Sequence, residues 1–103
     1  GGLAISFNGN QYSAPKANLA VSSMTLMAIK PLIESGDIWE FVEEWQVIQN
    51  KFKLLSKETE RYFKASRIPL PSYDKIGVDD IEDIIARQKK MRKEIRKEYG
   101  DLT

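Results

Sequence analysis

The sequence predicts an α+β fold that is mostly α: an N-terminal β-hairpin packed on a bundle of about three helices, with a long central helix and a basic C-terminal helix. Three observations carry this expectation. The run ISFNGNQYSAP, Ile5 to Pro15, has apolar alternation around Asn-Gly; apolar residues recur at steps of three and four from Ile38 to Phe63; and a stretch that starts acidic at Asp79 ends basic near Tyr99. With 103 residues, 42% hydrophobic and 30% charged, the chain has the composition of a globular protein and the length of one domain, residues 1–103.

The hairpin, residues 3–15, follows from turn chemistry. Asn8-Gly9 suits the two central positions of a type I′ turn, where both residues need positive φ. Pairing around it sets Ile5 opposite Tyr12 and Leu3 opposite Ala14. Leu3, Ile5, Phe7, Tyr12 and Ala14 then share one apolar face, while Ala4, Ser6, Gln11 and Ser13 point away. Two free strand edges remain, and the edge beside Gln11 and Ser13 is a candidate for pairing with another protein.

A helical core is expected over 18–65. Asn18 is placed to cap a first helix ending near Glu34, with Gly36 just beyond; Pro31 should kink it, and Val21-Ser22-Ser23 forms helix poorly. Met24, Met27, Ala28 and Leu32 give it a buried stripe. Asp37 followed by Glu40 has the form of a capping box. From there Ile38, Phe41, Val42, Trp45, Ile48, Phe52, Leu55, Tyr62 and Phe63, with Thr59 in the gap, predict a helix about 40 Å long if unbroken. Ser56-Lys57-Glu58 is the place for a break. Trp39, Val47 and Leu54 fall on another flank of that helix; they are either covered by the hairpin and a second helix or form a partner surface, for which Trp is suited.

Residues 66–78 contain Pro69 and Pro71 and read as an extended connector pinned by Ile68, Leu70, Tyr73 and Ile76. The last helix spans 79–100, capped by Asp79 with Glu82. Ile81, Ile84, Ile85, Gln88, Met91, Ile95, Tyr99 and Leu102 make its narrow apolar seam. Its acids, Asp79, Asp80, Glu82 and Asp83, lie at the start and its bases in the second half, as the helix dipole favours. The acids lack the glycine turn of a calcium loop and read as capping groups.

The absences bound the chemistry. Neither cysteine nor histidine occurs, so disulfides, thiolates, imidazole proton shuttles and the common zinc ligands are all missing. No glycine loop suited to phosphates is present. The expectation is therefore a protein that is not an enzyme, with no catalytic residues, cofactor or metal. No apolar run reaches the roughly 20 residues of a membrane span, no signal peptide follows the tag-like Gly1-Gly2, and a cytoplasmic location is expected.

Charge is uneven. Residues 1–50 carry two bases against five acids and residues 51–103 carry 14 against 10, so the halves are −3 and +4. The excess lies in RQKKMRKEIRK: Arg87, Lys89, Lys90, Arg92, Lys93, Arg96 and Lys97. Three readings compete for these residues: a solvated face that complements the dipole, contact with an acidic protein or neighbouring subunit, or contact with nucleic acid phosphates. The run lacks the interleaved aromatics that stack on bases.

The run I-x-F-N-G-N-x-Y-x-A-P-K, Ile5 to Lys16, resembles the start of the small tail assembly chaperones of long-tailed bacteriophages. That resemblance covers 12 of the 103 residues and implies a hairpin followed by a helical domain. It also implies a non-enzymatic protein that oligomerises and masks sticky surfaces while binding tape-measure and tail-tube proteins. The function expected is thus protein–protein binding in an assembly chaperone or adaptor, through Gln11, Ser13, Trp39, Val47 and Leu54. The alternative is a small nucleic-acid-associated protein acting through the basic helix.

Overall fold

The computed structural model describes residues 4–9 and 17–99. The class is α+β and mostly α. Strands β1 (Ile5–Phe7), β2 (Leu19–Ser22) and β3 (Ser72–Lys75) form a sheet, and the α-helices are α1 (Lys30–Glu34), α2 (Ile38–Val47), α3 (Lys57–Ser66) and α4 (Ile81–Tyr99). The chain divides into two compact units. One comprises Gly1–Met24 with Pro71–Thr103; the other is Thr25–Leu70, which in sequence lies between β2 and β3.

In the first unit β2 is the central strand, parallel to β1 and antiparallel to β3. The expected helix beginning at Asn18 does not form there. All four residues of Leu-Ala-Val-Ser are buried, and a central strand gives each backbone group a ladder partner while burying both faces. Asn18 serves the sheet instead of capping a helix. Its side-chain oxygen accepts from the Ala4 amide at 3.0 Å and its backbone oxygen accepts from the Ile76 amide at 2.9 Å. The strand expected to pair with β1 through Tyr12 and Ala14 lies outside the described residues, as do Gln11 and Ser13.

Register places Ser6, Ala20 and Asp74 side by side on one face, and Phe7, Val21 and Tyr73 on the other. Helix α4 covers the first face with Ile84, Gln88 and Met91, all buried. Ser6 is therefore among the buried residues at 6% exposure, whereas Ile5, expected in the core, is 38% exposed. The reason is that α4 presents a glutamine to this strand: Gln88 Nε2 donates to the Ser6 carbonyl at 3.2 Å. Tyr73, on the opposite face, is 1% exposed, and burial pushes its phenol well above the usual range.

Two side chains hold the ends of this sheet. Asn8 adopts φ +50°, a left-handed conformation that asparagine tolerates better than most residues, and its side chain reads both backbone groups of Ser23, accepting from the amide at 2.8 Å and donating to the carbonyl at 2.5 Å. Asp79 accepts from the Lys75 amide at 2.7 Å, which fastens the turn after β3. The cap of α4 thus falls to Asp80, one residue later than expected. Its Oδ1 accepts from the amides of Glu82 and Asp83, and its carbonyl accepts the first helical bond from Ile84. The extended connector, for its part, contains β3.

In the second unit the chain starts with Thr25, whose Oγ1 caps a 3₁₀ turn over Leu26–Ile29 by accepting from the Met27 amide. Pro31 opens the short α1 rather than kinking a longer helix, since its missing N–H is no loss at that position. Gly36 follows with φ +80°. Asp37 caps α2 as expected, accepting from the Glu40 amide at 3.1 Å.

The single long helix does not form. Helix α2 ends at Val47, where Ile48 turns to φ −74°, ψ 140°. Lys51 then reaches back, its Nζ donating to the carbonyls of Trp45 at 2.7 Å and Ile48 at 3.1 Å. Asn50 caps a 3₁₀ turn over Lys51–Leu54, and Ser56 caps α3 by accepting from Thr59. Three polar side chains thus satisfy backbone groups that would otherwise favour continuing the helix. The apolar period survives the breaks because Phe41, Val42, Trp45, Leu55, Thr59 and Phe63 are all buried.

Candidate functional site

Helix α4 sorts its cations by their angle around the axis. At about 100° per residue, Lys89, Lys90, Lys93, Arg96 and Lys97 fall within about 120° of one another, on the side opposite the Ile84, Gln88 and Met91 seam. All five are exposed. Arg87 and Arg92 flank the seam instead and turn back onto the sheet. Arg87 holds Asp74 with Nε 3.1 Å from Oδ2 and Nη2 2.6 Å from Oδ1. Arg92 Nη1 donates to the Asn8 carbonyl at 3.0 Å and to that of Gly9.

Two of the seven cations expected to meet a polyanion or acidic partner therefore have structural work. The remaining five form one outward stripe. Lys97 has a nearby carboxylate in Glu94 at 3.8 Å, a distance at which an exposed pair adds little.

The flank expected from Trp39, Val47 and Leu54 is divided by the break after α2. Trp39 and Val47 remain on α2 and are 40% and 81% exposed. Leu54 belongs to the 3₁₀ turn and does not share their helix. It is half-buried and lines a cleft of about 490 Å³ within the second unit. Phe41 and Leu55 line that cleft with it, and so do Glu34, Asp37, Glu40 and Glu44.

Local structure explains this second grouping. Asp37, Glu40, Phe41 and Glu44 fall on one arc of α2 and its cap, spaced three, four and seven residues apart. Glu34 joins them from the end of α1. Among the described residues lining the cleft there are four carboxylates and no lysine or arginine. In sequence Asp37 and Glu40 are accounted for as a capping box, and neither Glu34 nor Glu44 is singled out. The spacing of these acids, together with the −3 charge of residues 1–50, was the available signal for a shared site.

Among the described residues, no group of three or more Asp or Glu side chains is placed to hold a metal ion, and no helix is long and apolar enough to cross a membrane. No protein-family model, curated protein or solved structure matches the chain.

Proposed function

We propose that the chain is a non-enzymatic protein-binding module that acts in the cytoplasm as an assembly chaperone or adaptor of the phage-tail type. The observation that carries this reading is the outward side of α2. Trp39 and Val47 expose apolar surface there while Phe41, Val42 and Trp45 of the same helix are buried, so α2 has more apolar surface than its own unit covers. Half-exposed tryptophans of this kind are anchors in protein interfaces. The resemblance of Ile5 to Lys16 to tail assembly chaperones supports the assembly role and suggests a tape-measure or tail-tube protein as partner.

The test is co-purification with a tape-measure or tail-tube protein from the source organism. The wild-type chain retains the partner, and Trp39→Ala with Val47→Ser lowers retention about tenfold or more without changing the circular dichroism spectrum. Equal retention by both chains would overturn this assignment of the surface. The five-cation stripe of α4 favours a second reading, phosphate binding, under which retention of nucleic acid falls steeply with salt and is lost on reversing Lys89, Lys90 and Lys93.

A further inference from the structure

We propose that the acidic cleft of the Thr25–Leu70 unit receives the outward basic stripe of α4 from a second copy of the chain. The proposal rests on the protein-binding reading above and names one of its partners. Its basis is complementarity of charge, length and polarity between two surfaces that every copy carries.

The cleft offers four carboxylates, Glu34, Asp37, Glu40 and Glu44, around an apolar floor of Phe41, Leu54 and Leu55. The row from Asp37 to Glu44 is about 10 Å long at about 1.5 Å per residue, and the row from Lys90 to Lys97 has the same length. Lysine stems are apolar and their ammonium heads are charged, so such a stripe can lay methylenes on the floor and heads on the rim. A nucleic acid has a use for the stripe and none for an acidic cleft. A second copy uses both.

Because each copy has one cleft and one stripe, two copies can make the contact twice in a closed pair, or the contact can run from copy to copy. Either arrangement brings the −3 and +4 halves of different chains together. The association is therefore expected to weaken with salt.

Sedimentation velocity tests this on the full chain at about 0.05 M and about 0.5 M salt. The wild type should sediment as a dimer or larger at low salt and move toward monomer at high salt. Reversing the stripe with Lys90→Glu, Lys93→Glu and Lys97→Glu should yield a monomer, and so should reversing the cleft with Glu34→Lys, Glu40→Lys and Glu44→Lys. Mixing the two variants restores both contacts between unlike copies and should restore the assembly. The milder glutamine substitutions at the same positions should weaken association about tenfold, which gives a readout if a full reversal unfolds.

A wild type that is monomeric at low salt overturns the proposal, as does a mixture that fails to associate when the wild type does. A monomer that binds nucleic acid through Lys90, Lys93 and Lys97 overturns it as well and assigns the stripe to phosphates. None of these results touches retention of a partner through Trp39 and Val47, so failure here is distinguishable from failure of the broader function.

Discussion

Arg87 on α4 clasps Asp74 on β3 through two parallel N–H donors, and the carboxylate it clasps is 6% exposed. The pair joins helix to sheet at a point where neither residue has an apolar contribution to make. Arg87→Ala leaves a buried carboxylate without its cation and should cost about 2–3 kcal/mol. Arg87→Lys keeps the charge but not the two-pronged geometry and should recover only part of that. Urea unfolding of the two variants and of Asp74→Asn, combined in a double-mutant cycle, measures the coupling.

Gln88 is fully buried beneath β1, with Nε2 bonded to the Ser6 carbonyl and Oε1 without a hydrogen-bond partner among the described residues. Replacing it by Met removes a weak bond and a buried orphan acceptor together, so stability should change by less than about 1 kcal/mol. Gln88→Glu should cost about 2–4 kcal/mol at neutral pH. Burial would raise the new carboxyl's folded pKa above its unfolded value of about 4.3, so this loss should grow as pH rises from about 4 and fade on acidification. Thermal melts at several pH values check the sign.

Asn8 serves as both conformer and ligand, with positive φ and two hydrogen bonds to Ser23. Asn8→Gly keeps the backbone conformation and loses the bonds, while Asn8→Ala loses both. Alanine should therefore be less stable than glycine by about 1 kcal/mol, the reverse of their order in a helix. Chemical denaturation of the two variants reads this difference directly.

Lys30 and Glu58 form an ion pair of 2.8 Å on the surface of the second unit. The hydrogen bond from Lys30 holds the Glu58 carboxyl below its ordinary range, and the same bond raises Lys30. The stabilisation from Glu58 is present above the unfolded carboxylate pKa and is lost as pH falls through the lower folded value. That from Lys30 is present below its unfolded pKa and is lost as pH rises through the higher folded one. Carbon NMR titration should show the Glu58 carboxyl returning to its ordinary range in Lys30→Met.

Much of the second unit was legible from sequence because capping is local chemistry. Asp37 was identifiable from the residues that follow it, and Gly36 from the helix it ends. The α3 boundary was legible as Ser56-Lys57-Glu58, although the earlier break was not. That break depends on Lys51 folding back onto carbonyls six and three residues away, and no apolar pattern reports it.

The first unit was harder to read, since Leu19–Ser22 carries no alternation and becomes a strand only through partners 14 residues before it and 50 to 56 after. The same non-local pairing hid the roles of Arg87 and Arg92. In sequence they look like their five neighbours, and only the sheet beneath α4 distinguishes them. The acidic cleft was missed for a related reason: Asp37 and Glu40 had a sufficient local explanation as a capping box, and nothing local joins Glu34 to them.

The exposed side of α2 as a protein contact is tested most directly by the fluorescence of Trp39. The chain has two tryptophans, so Trp45→Phe leaves Trp39 as the only one, excited selectively over the tyrosines at the red edge of the indole band. On forming the complex with its partner, Trp39 should shift to shorter wavelength and lose about threefold or more of its quenching by acrylamide, as burial of a half-exposed indole requires. Unchanged emission and quenching in a complex shown to be intact would contradict the account.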